Sequence, residues 1–232
     1  PQLKDCKEHL RLDKKGDKKG WGEDTMIFLT EGKSAGGTLG TARDAVKQAV
    51  FCLRGKPLNT CGENRDMLYR NEEFYNLIKT LDVEDSIERL RYGKIIFATD
   101  ADVDGLHIRN LLITFFMRFY KQLVTDGRVF VLETPLFRVR NKKEQHYCFT
   151  EEERVAAIAK CSQGCEITRF KGLGELNAKE FKEFIGPDMR LTPVSCLDDT
   201  DIDKTIKFYM GANTPDRKDY IMDNLVCDSS EF

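Results

Sequence analysis

Acidic side chains stand just after two apolar, strand-like segments of the sequence. Glu31 follows MIFLT, and Asp100 and Asp102 lie just after KIIFAT. Alternate residues of an extended chain project to the same side, so Asp100 and Asp102 are expected to point together. If the two segments are neighbouring parallel strands, the three carboxylates meet at the edge of the sheet where α/β folds bind ligands. Such a cluster is strongly repulsive unless a cation neutralises it, and hard oxygen ligands favour Mg²⁺.

The glycine-rich stretch EGKSAGG looks at first like a phosphate-binding P-loop, because Gly-Lys-Ser follows a strand-like segment. A P-loop needs G-x-x-x-x-G-K-[ST], and its first glycine would fall at Ile27, inside the apolar segment. The residue that ends this segment is Glu31, and a carboxylate is a poor neighbour for a phosphate unless a metal lies between them. The stretch therefore predicts a metal ligand and not a nucleotide site.

Two alternative interpretations of DADVDG remain open. Asp100, Asp102, Asp104 and Gly105 match the first half of an EF-hand loop, but its twelfth position is Leu111 instead of glutamate, and the preceding segment is strand-like. The other alternative is a purely structural cluster of ion pairs. Asp104 has a structural explanation of its own, because it could cap the helix that begins near Gly105.

The composition predicts a well-packed core and no global attraction to polyanions. The chain has 232 residues, of which 41% are hydrophobic and 33% charged, and its net charge is -2. Any DNA site must therefore come from local clustering. The most apolar window, Leu111–Tyr120, is far shorter than the ~20 residues that span a bilayer. The 8 cysteines form no C-x-x-C pair, so we expect reduced thiols, and a zinc site is a minor alternative whose spacing matches no common pattern, formed by His146, Cys148, Cys161 and Cys165.

Strand and helix signals alternate from Met26 onward. Continuous apolar runs predict strands, and amphipathic or glycine-opened stretches predict helices. The predicted strands are TMIFLT, QAVFCLRGKPLN (a strand that runs into a loop), KIIFATD and GRVFVLETPLFRVR, and the predicted helices are SAGGTLGTARDAV, NEEFYNLIKTL and a long apolar helix from Gly105. This alternation is typical of an α/β fold with a mainly parallel sheet flanked by helices.

The pattern changes to shorter helices after about residue 150. TEEERVAAIAK begins with a capping box of Thr150 and Glu153, and NAKEFKEFIGP has Asn177 as its N-cap with Glu180 three residues on. TIKFYMG and TPDRKDYIMDNLV predict two closing helices. The predicted organisation is a polar linker at 1–25 that includes the lysine-rich stretch DKKGDKKGWGED, a metal-binding α/β domain at 26–148, and a mostly helical C-terminal tail at 149–232.

Several motifs occur along the chain in a fixed order. They are EGKSAGG, LRGKPLN, TDADVDGLHIR, TPLFRV, RFKGLGE and FYMG followed by PDRKDYI. This set resembles the C-terminal half of the B subunit of bacterial type IIA DNA topoisomerases, from about Leu3 to Val226. The resemblance implies that the acidic part is a Toprim module with a Rossmann-like fold. AVFCLRGKPLN and TPLFRVRNKKE are more similar to topoisomerase IV than to gyrase, which is the alternative.

The resemblance implies a role in ATP-dependent double-strand DNA cleavage, strand passage and religation, the isomerase reaction that relaxes or decatenates DNA. By match to the family's motifs, Glu31, Asp100 and Asp102 would hold Mg²⁺, for which Mn²⁺ or Ca²⁺ could substitute. Glu31 would also be a catalytic residue that exchanges a proton with the departing sugar oxygen. Asp104 matches the third acid of the family's D-x-D-x-D run, which implies an alternate metal position.

The resemblance also implies partners outside this sequence. The family's A subunit would supply the tyrosine that attacks DNA and would complete an A2B2 heterotetramer on double-stranded DNA. ATP would act only through an N-terminal domain. The chain begins at Pro1 without Met, so we expect a fragment that is inactive alone. The expected location is the bacterial cytoplasm, in association with the nucleoid and with no membrane.

Basic and polar residues near the acids are expected to contact DNA phosphates, which position DNA without reading its sequence. Match to the family's motifs gives this role to Lys56 and Asn59, and His107 is assigned to it because it opens the helix behind the acids, where a helix N-terminus attracts anions. Further candidates on physical grounds are Arg54, Arg109 and Lys171.

Lys33 stands where the family usually has an acid, as in EGDSAGG. We expect this lysine to make the site less acidic and to add a phosphate contact. Two other functions remain open. A Toprim primase or nuclease would share the glutamate and the D-x-D pattern, although neither is expected to carry LRGKPLN and RFKGLGE together. A calcium-binding scaffold is the third possibility, and Leu111 at the ligand position counts against it.

Overall fold

The computed structural model describes residues 2–10, 22–161, 164–196 and 202–225. The strands in these ranges are β1 (Leu3–Lys4), β2 (Met26–Glu31), β3 (Gln48–Leu53), β4 (Lys94–Ala98), β5 (Val129–Leu132), β6 (Phe137–Arg140), β7 (Gln145–Cys148), β8 (Glu166–Arg169) and β9 (Leu191–Pro193). The α-helices are α1 (Lys33–Ala42), α2 (Arg65–Arg70), α3 (Glu72–Leu81), α4 (Val103–Phe119), α5 (Lys121–Thr125), α6 (Glu151–Lys160), α7 (Ala178–Phe184), α8 (Ile202–Met210) and α9 (Thr214–Asp223). The lysine-rich residues 13–21 and Cys227 lie outside the described residues.

The main sheet has six strands in the order β1-β3-β2-β4-β5-β9. Its four inner strands are parallel to one another, and the outer strands β1 and β9 pair antiparallel with β3 and β5. The predicted α/β fold with a mainly parallel sheet is therefore confirmed. Within the described ranges, none of the helices combines the length and the apolar content that a membrane-spanning helix needs.

The inner strands are buried on both faces, which explains their continuous apolar sequences. In β2, Ile27 and Leu29 face one side of the sheet and Phe28 faces the other, all without solvent exposure. On the first side α3 and α4 cover the sheet, and Phe74 stacks on Phe115 with ring centroids 4.4 Å apart. On the second side α1, α7 and the loop before α7 complete a separate apolar cluster. The sheet is thus a rigid platform whose carboxyl edge is left for polar residues.

A second sheet of three antiparallel strands has the order β7-β6-β8. It is tied to α7 by Glu180, whose carboxylate accepts hydrogen bonds from Arg138 Nη1 at 2.5 Å and from the Tyr147 hydroxyl at 2.9 Å. Because α7 packs on α1, this ionic contact links the second sheet to the main one.

The two helix starts after residue 150 for which the sequence predicts a cap, those of α6 and α7, both have a side-chain cap. The capping box of α7 is complete, since Asn177 accepts from the Glu180 N–H and the Glu180 carboxylate accepts from the Asn177 N–H. At α6, Thr150 accepts from the Glu153 N–H, but the Glu153 carboxylate accepts from the Phe149 N–H at 2.7 Å. The reciprocal hydrogen bond of that predicted capping box is therefore donated by the N–H of Phe149 instead of the N–H of Thr150.

Several element boundaries differ from the sequence pattern. Helix α1 ends at Ala42 and not at Val46, because Asp44 Oδ1 accepts from the Val46 N–H and closes a turn. Helix α4 begins at Val103, and its N-cap is Asp102 instead of Asp104. Strands β8 and β9 add sheet structure to a region that the sequence predicts as mostly helical. Their short sequences become strands because β6 and β5 offer them hydrogen-bonding edges.

Candidate metal centre and nucleic-acid interface

Glu31 and Asp100 lie close together because β2 and β4 are neighbouring parallel strands. Thr30 pairs with Ala98, so Glu31 ends β2 beside the point where the chain leaves β4 toward Asp100. Adjacent strands lie about 4.8 Å apart, which places both side chains at the carboxyl edge of the sheet. Strands β2 and β4 are therefore neighbours, which is the condition for the acids that follow them to meet. Metal binding by Glu31 and Asp100 stays a prediction.

Each aspartate of DADVDG has a different protein partner. Asp100 Oδ1 accepts from the Leu173 N–H at 2.7 Å, and Asp102 Oδ1 accepts from the Gly105 N–H at 2.8 Å as the N-cap of α4. Asp104 Oδ1 lies 2.7 Å from Lys56 Nζ. The loop follows strand β4 and not a helix, which contradicts the EF-hand alternative.

The surroundings of Glu31 and Asp100 disfavour their charged forms. Burial raises the pKa of the Glu31 carboxyl, and the negative charges of Asp100, Asp102 and Asp104 raise it further, against the opposing charge of Lys56. Burial also raises the pKa of Asp100. A cation at this edge would reverse both effects, because it favours the ionised carboxylates.

The RFKGLGE loop reaches the acidic edge from the far end of the chain. Besides the hydrogen bond from Leu173 to Asp100, Gly172 packs so closely that a Cβ atom there would lie 2.7 Å from Asp100 Oδ2. The backbone of Gly172 is extended, with a φ of -157°, so the glycine provides room and not an unusual conformation. The Glu175 carboxylate accepts from the Lys171 N–H at 3.0 Å and closes the loop. Asp100 is therefore positioned by a loop that contributes none of the predicted metal ligands.

The donor set fits a hard divalent cation. All candidate ligand atoms are carboxylate oxygens, and burial raises the pKa of two of the carboxyls, those of Glu31 and Asp100. Among the described residues, three potential ligand atoms lie within 4.8 Å of one another at Asp5, Cys6 and His9. The carboxylate oxygens of Glu31, Asp100 and Asp102 therefore do not all lie within this distance of one another. Mg²⁺ keeps several waters and uses one or two carboxylates together with substrate phosphates. The wider spacing is compatible with ligation that is partly through water.

The group of Asp5, Cys6 and His9 is a hydrogen-bonded anchor and not a metal site. An Arg91 guanidinium nitrogen lies 2.5 Å from Asp5 Oδ2 and 2.8 Å from His9 Nε2, and the Tyr92 hydroxyl donates to Asp5 Oδ1 at 2.7 Å. Burial raises the pKa of the Cys6 thiol to about 11. A metal ion here would lie against a guanidinium group and a protonated thiol.

The residues of LRGKPLN that are predicted to contact DNA have intramolecular partners. Lys56 is paired with Asp104, and Asn59 Nδ2 donates to the Met210 carbonyl at 2.7 Å, at the end of α8. Asn59 Oδ1 also accepts from the Cys61 N–H at 3.0 Å. The loop thus lies between the acidic edge and the hairpin of α8 and α9. Contact with DNA would require Lys56 and Asn59 to exchange these partners for phosphates.

Helix α4 presents two further basic residues near the acids. The ion pair with Lys56 lowers the pKa of Asp104, and His107, which is exposed, contributes in the same direction. The Arg109 guanidinium is half-buried, and its Nη2 lies 3.5 Å from Thr99 Oγ1. Burial lowers the pKa of Arg109, and its Nε has no hydrogen-bond partner among the described residues.

The remaining basic candidates are more exposed. Arg54 pairs with Glu72 through a nitrogen–oxygen distance of 2.9 Å. Lys171 is exposed in the RFKGLGE loop, and Lys33 is exposed at the first position of α1, two residues after Glu31. Lys33 therefore lies on the same side of the sheet edge as the predicted catalytic glutamate.

The contact of Gly172 and Leu173 with Asp100 is the part of the site that the sequence pattern does not predict. Leu173 is 73 positions away from Asp100 in the sequence. No local spacing pattern therefore connects the two residues. The two glycines of RFKGLGE were the available signal, because glycine commonly marks a close backbone approach.

The alternative zinc site is not assembled. Cys161 and Cys165 are joined by a disulfide, while Cys148 is a separate buried thiol and His146 has no part in the pair. The expectation of reduced thiols is therefore wrong for this pair. The fold places the Cα atoms of these two cysteines 6.4 Å apart, a separation that a disulfide spans.

Comparisons with known proteins identify two domain families in the chain. The Toprim domain matches residues 26–134, and the carboxyl terminus of the DNA gyrase B subunit matches residues 162–222. The chain is 52% identical over 227 residues to the B subunit of DNA topoisomerase 4 from Borreliella burgdorferi, which covers 97% of this chain and 37% of that protein. It is 38% identical over 218 residues to the B subunit of DNA gyrase from Staphylococcus epidermidis, which covers 90% of this chain and 34% of that protein. The chain thus spans about a third of the length of these curated relatives.

A solved structure has the same fold. The DNA-binding, cleavage and re-ligation domain of Plasmodium falciparum topoisomerase II superposes with a TM-score of 0.67 and 28% sequence identity, over 79% of this chain and 26% of that chain. The acidic edge, the RFKGLGE loop and these matches agree with the resemblance of the sequence motifs. The chain belongs to the type IIA DNA topoisomerases, as a Toprim-containing segment of their B subunit.

Proposed function

We propose that this chain forms the Mg²⁺-binding part of the DNA cleavage and religation core of an ATP-dependent type IIA topoisomerase. The observation that carries the proposal is the acidic edge of the sheet, where Glu31 ends β2 and Asp100 follows the neighbouring strand β4, with Lys56 nearby. The higher identity to a topoisomerase 4 protein favours relaxation and decatenation over the negative supercoiling of a gyrase.

Glu31, Asp100 and Asp102 would hold the metal ion, directly or through water. When bound, Mg²⁺ would stabilise the negative charge that develops on the scissile phosphate or on the departing sugar oxygen. The Glu31 carboxyl would exchange a proton with that sugar oxygen in cleavage and religation. The Leu173 N–H would keep Asp100 oriented, because its hydrogen bond occupies one carboxylate oxygen and leaves the other for the ion.

The basic residues around the acids would bind the DNA backbone. Lys56, Asn59 and His107 would contact phosphates, and the half-buried Arg109 would add a charged donor. Lys33 would lie near enough to Glu31 to add one more phosphate contact. These contacts would position the duplex at the acidic edge without selecting a base sequence.

The complete enzyme would require partners. An A subunit would supply the tyrosine that becomes linked to DNA, in an A2B2 heterotetramer, and ATP would bind to an N-terminal domain of the B subunit. The location proposed for this assembly is the bacterial cytoplasm, on the nucleoid.

A first experiment tests metal binding by the chain itself. Mn²⁺ binding is measured by electron paramagnetic resonance for the unmodified chain and for Glu31→Gln, Asp100→Asn and Asp126→Asn. Asp126 is an exposed acid after α5, so its variant is a matched control for the loss of one negative charge. We expect at least tenfold weaker binding for the first two variants and no change for the control.

A second experiment tests the reaction. The same substitutions are placed in the full-length B subunit, which is assembled with its A subunit, and Mg²⁺-dependent cleavage and relaxation of plasmid DNA are measured. Loss of both activities in Glu31→Gln and Asp100→Asn, but not in Asp126→Asn, is expected. Full activity of both site variants would refute the metal assignment, and ATP-dependent negative supercoiling would identify a gyrase.

A further inference from the structure

Two cysteines between α6 and β8 form a pair that the proposed function does not use. Cys161 is the C-cap of α6, and Cys165 immediately precedes β8. Their Cα atoms are 6.4 Å apart and their sulfurs are bonded, a Cα separation within the usual range for disulfides. Gly164 adopts a φ of +91°, and no atom lies within 4 Å of where its Cβ would be. The backbone conformation, and not crowding, therefore requires glycine beside the pair.

The surroundings of the pair suit a reversible bond. Both cysteines are half-buried, so a small thiol or oxidant can reach the sulfurs, and Asn141 Nδ2 lies 3.5 Å from Cys161 Sγ. Both pack against a small apolar cluster that includes the buried thiol of Cys148. Burial raises the pKa of Cys148, with a further contribution from Glu153. Cys148 is therefore a protonated and poor nucleophile, which protects the pair from exchange with it.

We propose that Cys161 and Cys165 are a reversible thiol–disulfide modification site that ties the end of α6 to the start of β8. The oxidant is a low-molecular-weight disulfide, RSSR. The thiolate of one cysteine attacks a sulfur of RSSR and one thiolate RS⁻ leaves, which forms a mixed disulfide. The second cysteine thiolate then attacks the protein sulfur of the mixed disulfide, and the second RS⁻ leaves. In total, two cysteine thiols lose two electrons and two protons, and RSSR becomes two RSH.

The site has a structural route to the acidic edge. Strand β8 pairs with β6 along its length, and the Phe170 N–H donates to the Leu136 carbonyl at 2.9 Å. The RFKGLGE loop follows directly, and its Leu173 N–H donates to Asp100. A bond between Cys161 and Cys165 removes conformations that the reduced chain can adopt. Oxidation is therefore expected to hold β8 and the loop more firmly in the arrangement seen here.

The first test measures the redox state of each cysteine. The chain is equilibrated in glutathione buffers from fully reduced to fully oxidised, quenched in acid, alkylated and analysed by peptide mass spectrometry. We expect Cys161 and Cys165 to lose their reactivity together, with a peptide mass lower by two hydrogens, while Cys52, Cys61 and Cys196 remain alkylated. Alkylation of both cysteines at every glutathione ratio, or accumulation of single glutathione adducts, would overturn the proposal.

Two single variants test the pairing. Cys161→Ser leaves Cys165 without its partner thiol, so Cys165 should retain a stable mixed disulfide with glutathione. Cys148→Ser should leave the oxidation of the pair unchanged, and a loss of pairing in this variant would contradict the assignment of partners.

The second test measures the structural consequence by amide hydrogen exchange. We expect exchange in residues 166–175 to be about fivefold slower in the oxidised chain than in the reduced chain. The double variant Cys161→Ser/Cys165→Ser should show the faster rate under both conditions. Equal rates in the oxidised and reduced chain would refute the claim that the pair fixes β8. Neither readout involves metal or DNA, so both results are independent of the proposed function.

Discussion

A carboxylate at the end of a strand has rotamer freedom that a metal ligand must lose before it binds. For Asp100 this restriction comes from a backbone N–H of Leu173 and from the close packing of Gly172. Strand β4 ends at Ala98, so Asp100 and Asp102 lie beyond it, and the predicted alternation along a strand does not set their orientation. Asp102 turns to cap α4, and Asp100 turns to the RFKGLGE loop.

Gly172→Ala should weaken metal binding by about tenfold, because its Cβ would displace the Asp100 carboxylate from its present position. The extended backbone of Gly172 accepts alanine without strain, so the melting temperature should change little. The measurement is Mn²⁺ binding by the chain, together with a thermal melt.

Gly174→Ala is the matched control for that substitution. A Cβ at Gly174 would lie 3.5 Å from Ser34 Oγ, which is an ordinary van der Waals distance. Its metal affinity should stay within about twofold of the unmodified chain. Equal losses in both variants would show that the loop as a whole, and not the contact with Asp100, affects the metal.

Asp104→Asn should strengthen the binding of the chain to duplex DNA by about threefold at low salt, the scale of one exposed ion pair. The substitution frees Lys56 from its partner and removes one negative charge from the proposed interface. Binding is measured by fluorescence anisotropy in EDTA, so that a metal role of Asp104 does not contribute. Asp126→Asn controls for net charge, and equal affinities of the two variants would contradict the competition between Asp104 and phosphate for Lys56.

Among the secondary-structure elements, α7 is the link between the two sheets. Glu180 is 7% exposed, and its carboxylate is shared by Arg138, Tyr147 and the N-cap of its own helix. Burial alone would raise the pKa of Glu180, but the Asn177 N–H and these side chains outweigh it and lower the pKa. The charged form of Glu180 is therefore part of the folded structure.

Glu180→Gln should reduce the free energy of unfolding by about 2 kcal/mol, because the half-buried Arg138 loses its charged acceptor. Urea unfolding measures the change. Glu183→Gln is the matched control, since Glu183 is exposed on the same helix, and its effect should be under about 0.5 kcal/mol. A similar small effect for both variants would show that Arg138 finds another partner at no cost.

Across the molecule as a whole, the N-terminal segment is fastened to the main sheet by β1 and by Asp5. Burial alone would raise the pKa of Asp5, but hydrogen bonds from Tyr92, His9 and Arg91 lower it to about 2. A folded-state pKa below the unfolded value means that Asp5 contributes stability in full above about pH 4. This contribution is lost as the pH falls from about 4 toward 2.

The melting temperatures of the unmodified chain and Asp5→Asn should therefore differ near pH 6 and converge as the pH approaches 2. Thermal melts at pH 6, 4, 3 and 2 provide the measurement. Asp126→Asn should show no comparable convergence. A constant difference between the unmodified chain and Asp5→Asn over the whole range would mean that Asp5 is not the titrating group.

Some features of this protein follow from local chemistry, and its amino-acid sequence is enough to predict them. The apolar runs of β2 and β4 must be buried, and the acids that follow them must lie at a sheet edge. The helix caps at Thr150 and Asn177 also follow from local spacing, since a cap satisfies N–H groups only two or three residues away.

Other features depend on residues far apart in the chain, and folding alone brings these together. The fold places β2 beside β4, holds Gly172 and Leu173 against Asp100, and gives β8 and β9 their partner strands. It also pairs Cys161 with Cys165, which the spacing of the cysteines does not predict. Short strands and backbone contacts have no periodic signal of their own, because their stability comes from the partner that the fold supplies.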